Sequence, residues 1–121
     1  MIFVKDSQLT VTDSNVQLDK LVNMECTVTS DQDVEASLEF CIEDTESPGS
    51  NTSNVKFSHQ GNLVDCYQFD TNLVAGENNL SDDKTLMDSG LAESTLIAIK
   101  VTITATNGSD FTTTNITVHP K

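Results

Sequence analysis

Residues 97–118 read IAIKVTITATNGSDFTTTNITV. In the first half Ile97, Ile99, Val101, Ile103 and Ala105 alternate with Ala98, Lys100, Thr102 and Thr104. A period of two with one apolar row marks a strand half buried on a core. Residues 106–110, TNGSD, turn the chain, and the Asn-Gly pair supplies the positive φ that tight hairpin turns need. FTTTNITV then returns with Ile116 and Val118 inward. The spacing predicts a terminal β-hairpin whose inner row closes a core. β-Branched residues dominate it, and they suit a pleated surface better than a helix.

The same period recurs upstream. In VNMECTV (22–28) Val22, Met24, Cys26 and Val28 face one way. In VEASLEFCIE (34–43) Val34, Ala36, Leu38, Phe40 and Ile42 do so, with Glu35, Ser37, Glu39, Cys41 and Glu43 opposite. The intervening SDQD reads as a turn, so these two strands are expected to pair as a hairpin. Cys26 is then a core residue, and Cys41 sits among glutamates on the exposed face. Residues 45–54, TESPGSNTSN, are turn formers and read as a surface loop. NVKF (54–57) and NLVDCYQF (62–69) read as two further strands. In the second, the row Leu63, Asp65, Tyr67, Phe69 competes with Val64, Cys66, Gln68, and the inner side stays open. SDDKTLMDSG (81–90) reads as one short helical turn, with Ser81 as cap, Asp82 and Asp83 at its positive end and Gly90 closing it. The pattern as a whole is all-β, a single antiparallel β-sandwich of roughly seven strands over 1–121.

Composition narrows the function. Of 121 residues 36% are hydrophobic, 5% are aromatic and none is Trp, so packing rests on small aliphatic side chains. Nineteen acidic residues against six lysines and no arginine give a formal charge of −13. Such a surface repels phosphate backbones, so no nucleic-acid partner is expected. No apolar run approaches the roughly 20 residues of a spanning helix, and no membrane partner is expected. The opening MIFVKDSQLT has neither a basic n-region nor a sustained apolar run, so no secretory leader is expected. Three cysteines allow at most one intramolecular bridge and leave one thiol over; none has close zinc-type or redox-type spacing. Assembly in a reducing compartment is the expectation.

No constellation for catalysis stands out. His59 and His119 lack a ligand or triad spacing, and there is no GxSxG, P-loop or HExxH. The chain is therefore read as not an enzyme, with no catalytic, cofactor-binding or metal residue assigned and no cofactor. DQDVE (31–35) begins like an EF-hand loop, but Ala36 holds the glycine position and Ile42 the twelfth. Looser calcium sites at Asp31 and Asp33, or at Asp82, Asp83 and Asp88, compete with ordinary turn aspartates, the simpler reading. N-x-S/T sequons start at Asn51, Asn79, Asn107 and Asn115.

A long strand, TATNGSD, and a Thr-rich strand ending NITV together resemble the last two strands of immunoglobulin-like and polycystic-kidney-disease-type repeats. VNMECTV resembles an immunoglobulin B strand with Cys26 at the buried cysteine position. Ile103 stands where the F-strand partner would be, and Phe40 where the C-strand Trp would be. The same terminal pattern resembles the immunoglobulin-like domains of bacteriophage capsid decoration proteins. That resemblance implies a non-enzymatic virion protein with a protein partner, either the capsid shell or neighbouring virion subunits. It would be assembled in host cytoplasm, displayed on the virion surface and open to homo-oligomer formation. The alternative is an extracellular adhesion module.

Overall fold

The computed structural model describes residues 3–88 and 90–121; Met1, Ile2, Ser89 and the side chain of Asp88 lie outside that description. The described residues form ten strands and no helix. They are β1 (Val4–Val11), β2 (Asn15–Gln17), β3 (Leu21–Ser30), β4 (Val34–Glu43) and β5 (Val55–His59). Then follow β6 (Asn62–Val64), β7 (Cys66–Leu73), β8 (Gly76–Asp88), β9 (Thr95–Ala105) and β10 (Gly108–His119). One five-stranded sheet has the order β1-β3-β8-β5-β6 and the other β2-β10-β9-β4-β7. A single apolar cluster lies between them, drawing Met24, Val28 and Leu86 from the first and Leu38, Ile99 and Ile103 from the second. The all-β expectation holds, with ten strands in place of roughly seven.

Every inward row expected from period two is found inward. Val22, Met24, Cys26 and Val28 of β3 are buried, as are Ala36, Leu38, Phe40 and Ile42 of β4 and the Ile97–Ile103 row of β9. The terminal hairpin is also present, with β9 and β10 antiparallel in unbroken register from Val118↔Thr95 to Gly108↔Ala105. Only Thr106 and Asn107 lie between the paired ends. Gly108 has φ 147°, and Asn107 is not among the residues with positive φ. The Asn-Gly pair thus works differently from the expectation. Glycine alone takes the unusual backbone, while the Asn107 side chain is buried and its Nδ2 faces Ser30 Oγ (3.0 Å), Asp31 Oδ1 (2.8 Å) and Phe3 O (3.1 Å). A Cβ on Gly108 would meet the Val4 nitrogen at 3.2 Å. Gly108→Ala is therefore expected to cost about 2 kcal/mol through strain and crowding, seen as a lower urea midpoint; an unchanged midpoint would refute the close approach.

Three expectations are corrected. The strands at 22–28 and 34–43 do not form a hairpin: β3 pairs with β1 and β8, and β4 pairs with β9 and β7. The short connection crosses from one sheet to the other and is pinned along the way. Asp31 Oδ1 accepts from Phe3 N at 2.9 Å, and Asp33 Oδ1 accepts from Ala75 N at 2.9 Å. Within the segment 81–90, residues 81–88 form not a helical turn but the second part of β8, which pairs with the whole of β3 from Leu21↔Thr85 to Ser30↔Gly76; Ser89 lies outside the described residues. Ten cross-strand pairings outweigh a local helix start. Its capping candidates instead meet side chains: Asp82 accepts from Tyr67 Oη at 2.6 Å and Asp83 from Asn23 Nδ2 at 2.7 Å. Finally, 62–69 is two strands. The chain leaves β6 in one sheet and enters β7 in the other, so that Tyr67 and Leu73 are buried and Cys66 and Gln68 exposed.

The N-terminal segment, with no strand expected, supplies an edge to each sheet. β1 runs along β3 with an irregularity between Lys5 and Gln8, where Asp6 has φ 57°. The Ser7 N–H freed there donates to Asp110 Oδ2 of β10 at 2.9 Å, tying the two sheets at that end. β2 then pairs with β10 in parallel, the one parallel ladder among the described strands.

Candidate functional site

The outward row of the second sheet holds the most varied chemistry on the molecule. Cys41 of β4 lies directly opposite Cys66 of β7, and the two form a disulfide with Cα atoms 4.1 Å apart. Two residues back on the same face stands Glu39, opposite Gln68 on one side and Thr102 on the other. Next to Cys41 on β9 is Lys100, whose ammonium sits 4.7 Å above the ring centre of Phe111 on β10. Phe111 is 61% exposed on a Thr-rich face. The ligand atoms of Glu39, Cys41 and Cys66 lie within 4.8 Å of one another.

Cysteine reading thus succeeds for the count and for Cys26 and is corrected for Cys41. Cys41 is on the outer face as expected but is bridged, not a free thiol. Cys26 is fully buried and free, and burial, then the charge of Asp110, pushes its thiol up to about 11. It is a packing residue with no thiolate at neutral pH. The sequence signal for the bridge was the aromatic row of Tyr67 and Phe69: once that row turns inward, Cys66 must turn outward, to the side Cys41 already occupies.

The turn aspartates are engaged as acceptors of protein N–H and O–H groups. Asp31 takes Phe3 N and Asn107 Nδ2, and Asp33 takes Ala75 N. Asp44 takes the backbone and hydroxyl of Thr52, and Asp65 takes Asn51 Nδ2 (3.0 Å) and Lys56 Nζ (2.5 Å). These contacts engage the Asp31 and Asp33 carboxylates within the protein. The Asn107 amide, then Phe3 N–H, holds the Asp31 carboxyl below the ordinary carboxylate range. A depressed folded-state pKa contributes stability that is present above the unfolded value of about 3.9 and is lost as pH falls through the folded one. Asp31→Asn should therefore lower the urea midpoint near pH 7, with the gap to wild type closing as pH falls below the unfolded value of about 3.9 and through the lower folded one. A pH-independent gap would show that the charge is not what the contact uses.

His59 and His119 have structural surroundings. His59 stacks on Tyr67 with ring centres 5.0 Å apart. His119 lies between Ser94 Oγ, 2.6 Å from Nδ1, and Asn15 Oδ1, 3.0 Å from Nε2. A serine, histidine and amide in a row superficially suggest a nucleophile and its base. Ser94 is exposed, however, and Asn15 offers an amide oxygen where a carboxylate would hold the imidazolium. The trio ties the segment before β9 to the ends of β10 and β2. A shallow groove of about 410 Å³ over Glu35, Ser37, Asp70 and Thr104 has acidic walls and no nucleophile–base pair. Of the sequon asparagines, Asn79 and Asn115 are exposed. Asn51 and Asn107 spend their amides on internal hydrogen bonds.

No family model matches the chain, and no curated protein matches it. Among solved structures it is similar to the Pseudomonas fluorescens alkylpurine DNA glycosylase AlkC bound to DNA containing an abasic site analog. The TM-score is 0.53 at 11% identity, and the match covers 98% of this chain and 30% of that one. The chain thus corresponds to under a third of that protein's length, and likeness at such identity concerns the fold alone.

Proposed function

We propose that the chain is an immunoglobulin-like sandwich acting as a non-enzymatic surface module that ends up in an oxidising setting and works through contact. Strand order supports the immunoglobulin-like part. β1-β3-β8-β5 follows the A-B-E-D order, β10-β9-β4 follows G-F-C, and β7 takes the place beside C of an added strand. The departure is that β5 and β6 precede β7 along the chain. Cys26 occupies the buried B-strand position, and the bridge of this chain lies elsewhere, on the outer face between β4 and β7.

That bridge is the observation that carries the cellular setting. Disulfides form and persist in oxidising compartments, which favours the extracellular adhesion module over a virion protein assembled in reducing cytoplasm. Exposed sequon asparagines at 79 and 115 agree with it. The charge of −13 keeps such a module dispersed. The capsid-decoration reading draws on a different observation: Phe111 and Leu96, 61% and 52% exposed, are apolar residues on the outer row of β9 and β10 that a shell neighbour would cover. The DNA of the glycosylase complex is not carried over, because six lysines against nineteen acidic residues leave a surface that repels a phosphate backbone.

Intact mass of the protein from its natural source decides between them. Alkylation after denaturation without reductant should add a single group, on Cys26, if the module is exported; sugar on Asn79 or Asn115 would add to the case. Alkylation of all three cysteines with no sugar would reject the extracellular reading in favour of the virion one.

A further inference from the structure

We propose that, once the Cys41–Cys66 bridge is opened, Glu39, Cys41 and Cys66 hold one thiophilic divalent cation of the zinc class on the outer face of the second sheet. The site forms under reducing conditions, before the bridge closes or after it is reduced, in an extracellular and a virion setting alike.

The backbone already assembles the donors. Glu39 and Cys41 are two apart on β4 and so point to the same side, and Cys66 is the residue directly across the ladder from Cys41. Zn–S bonds of about 2.3 Å and Zn–O bonds of about 2.1 Å place donors to one ion within about 4 Å of each other. The three ligand atoms here lie within 4.8 Å of one another, so small side-chain rotations complete the cluster without moving a strand. Cys66 is exposed, which leaves an entry path and a fourth position for water. The Glu39 carboxylate makes no hydrogen bond or ion pair with the described residues, unlike Asp31, Asp33 and Asp65, which are all engaged. Two thiolates select a soft or borderline ion and disfavour calcium and magnesium. Lys100, beside Cys41 on β9, offsets part of the −3 charge of the ligand set.

The chemistry balances simply. A phosphine takes oxygen from water and ends as phosphine oxide; the S–S bond breaks and each sulfur gains one proton. Binding the metal then releases those two protons and forms two metal–sulfur bonds. The bridged and metal-bound states exclude each other, since a disulfide sulfur is no thiolate ligand.

The test uses the full chain, reduced with a water-soluble phosphine and titrated with Cd²⁺, whose thiolate complexes absorb in the ultraviolet by charge transfer. The expected result is one Cd²⁺ per chain, displaceable by Zn²⁺, with none bound before reduction. Cys66→Ser should abolish the band, and Cys26→Ala should leave it intact. Glu39→Gln should keep the band but weaken binding at least about tenfold, the scale on which even outer-sphere losses act. Circular dichroism of the reduced chain should retain the strand signal. A band that survives Cys66→Ser, an unchanged affinity in Glu39→Gln, or loss of strand signal on reduction would each overturn the proposal.

Discussion

Ile103→Asp unfolds the domain near neutral pH, and Thr102→Asp, one residue away, leaves it folded. Ile103 is fully buried on the inner row of β9, opposite Leu38 of β4. Removing its side chain forfeits roughly 2–3 kcal/mol of burial. An unpaired carboxylate in the same place adds a desolvation cost of several kcal/mol or forces an uptake of protons. Together these match the whole stability of a typical domain, about 5–15 kcal/mol. Thr102 points outward between Glu39 and Phe111, so a charge there meets water and one like-charged neighbour, at a cost below about 1 kcal/mol. Circular dichroism and size-exclusion chromatography of the two variants read the difference directly. If both variants fold, or neither does, the inner row of β9 is misassigned.

The contrast between those neighbours is legible in the sequence, because alternation reports which side of a strand is buried. It does not report which strand lies alongside. β3 and β4 have equally apolar inner rows whether they share one sheet or face each other across the core, so period two could not separate a hairpin from a crossover. Asp31 and Asp33 decide that, through acceptor contacts to Phe3, Asn107 and Ala75, far away in sequence. β8 was illegible for a related reason. Its inward side chains include Asn78 and Asp82, which pair with Val28 O and the Tyr67 hydroxyl instead of supplying an apolar stripe. The cysteine pair was half legible. Cys41 showed its outward face, but its partner is 25 residues on, with no motif spacing, across a ladder set by the β4–β7 register.

Phe40→Ala should cost about 3–5 kcal/mol and lower the urea midpoint to match. Phe40 and Phe57 are the bulkiest fully buried side chains, Phe40 1% exposed. Its ring stacks on Tyr67 at 5.5 Å and on Phe69 at 6.2 Å, and Tyr67 meets Phe57 edge-on at 5.0 Å. Tyr67 is in turn fixed by its bond to Asp82, and burial, then that carboxylate, keeps its phenol protonated far above the usual range. A hole at Phe40 cannot be filled by Tyr67 without breaking that bond, so relaxation is limited and the cavity persists. Phe69, only partly buried on the same side of β7, provides the control: Phe69→Ala should cost less than half as much. With no Trp and a single Tyr in the chain, fluorescence of Tyr67 reports the cluster itself. Its emission should change in folded Phe40→Ala. Equal costs at 40 and 69 would mean that the aromatic cluster lies at the rim of the core.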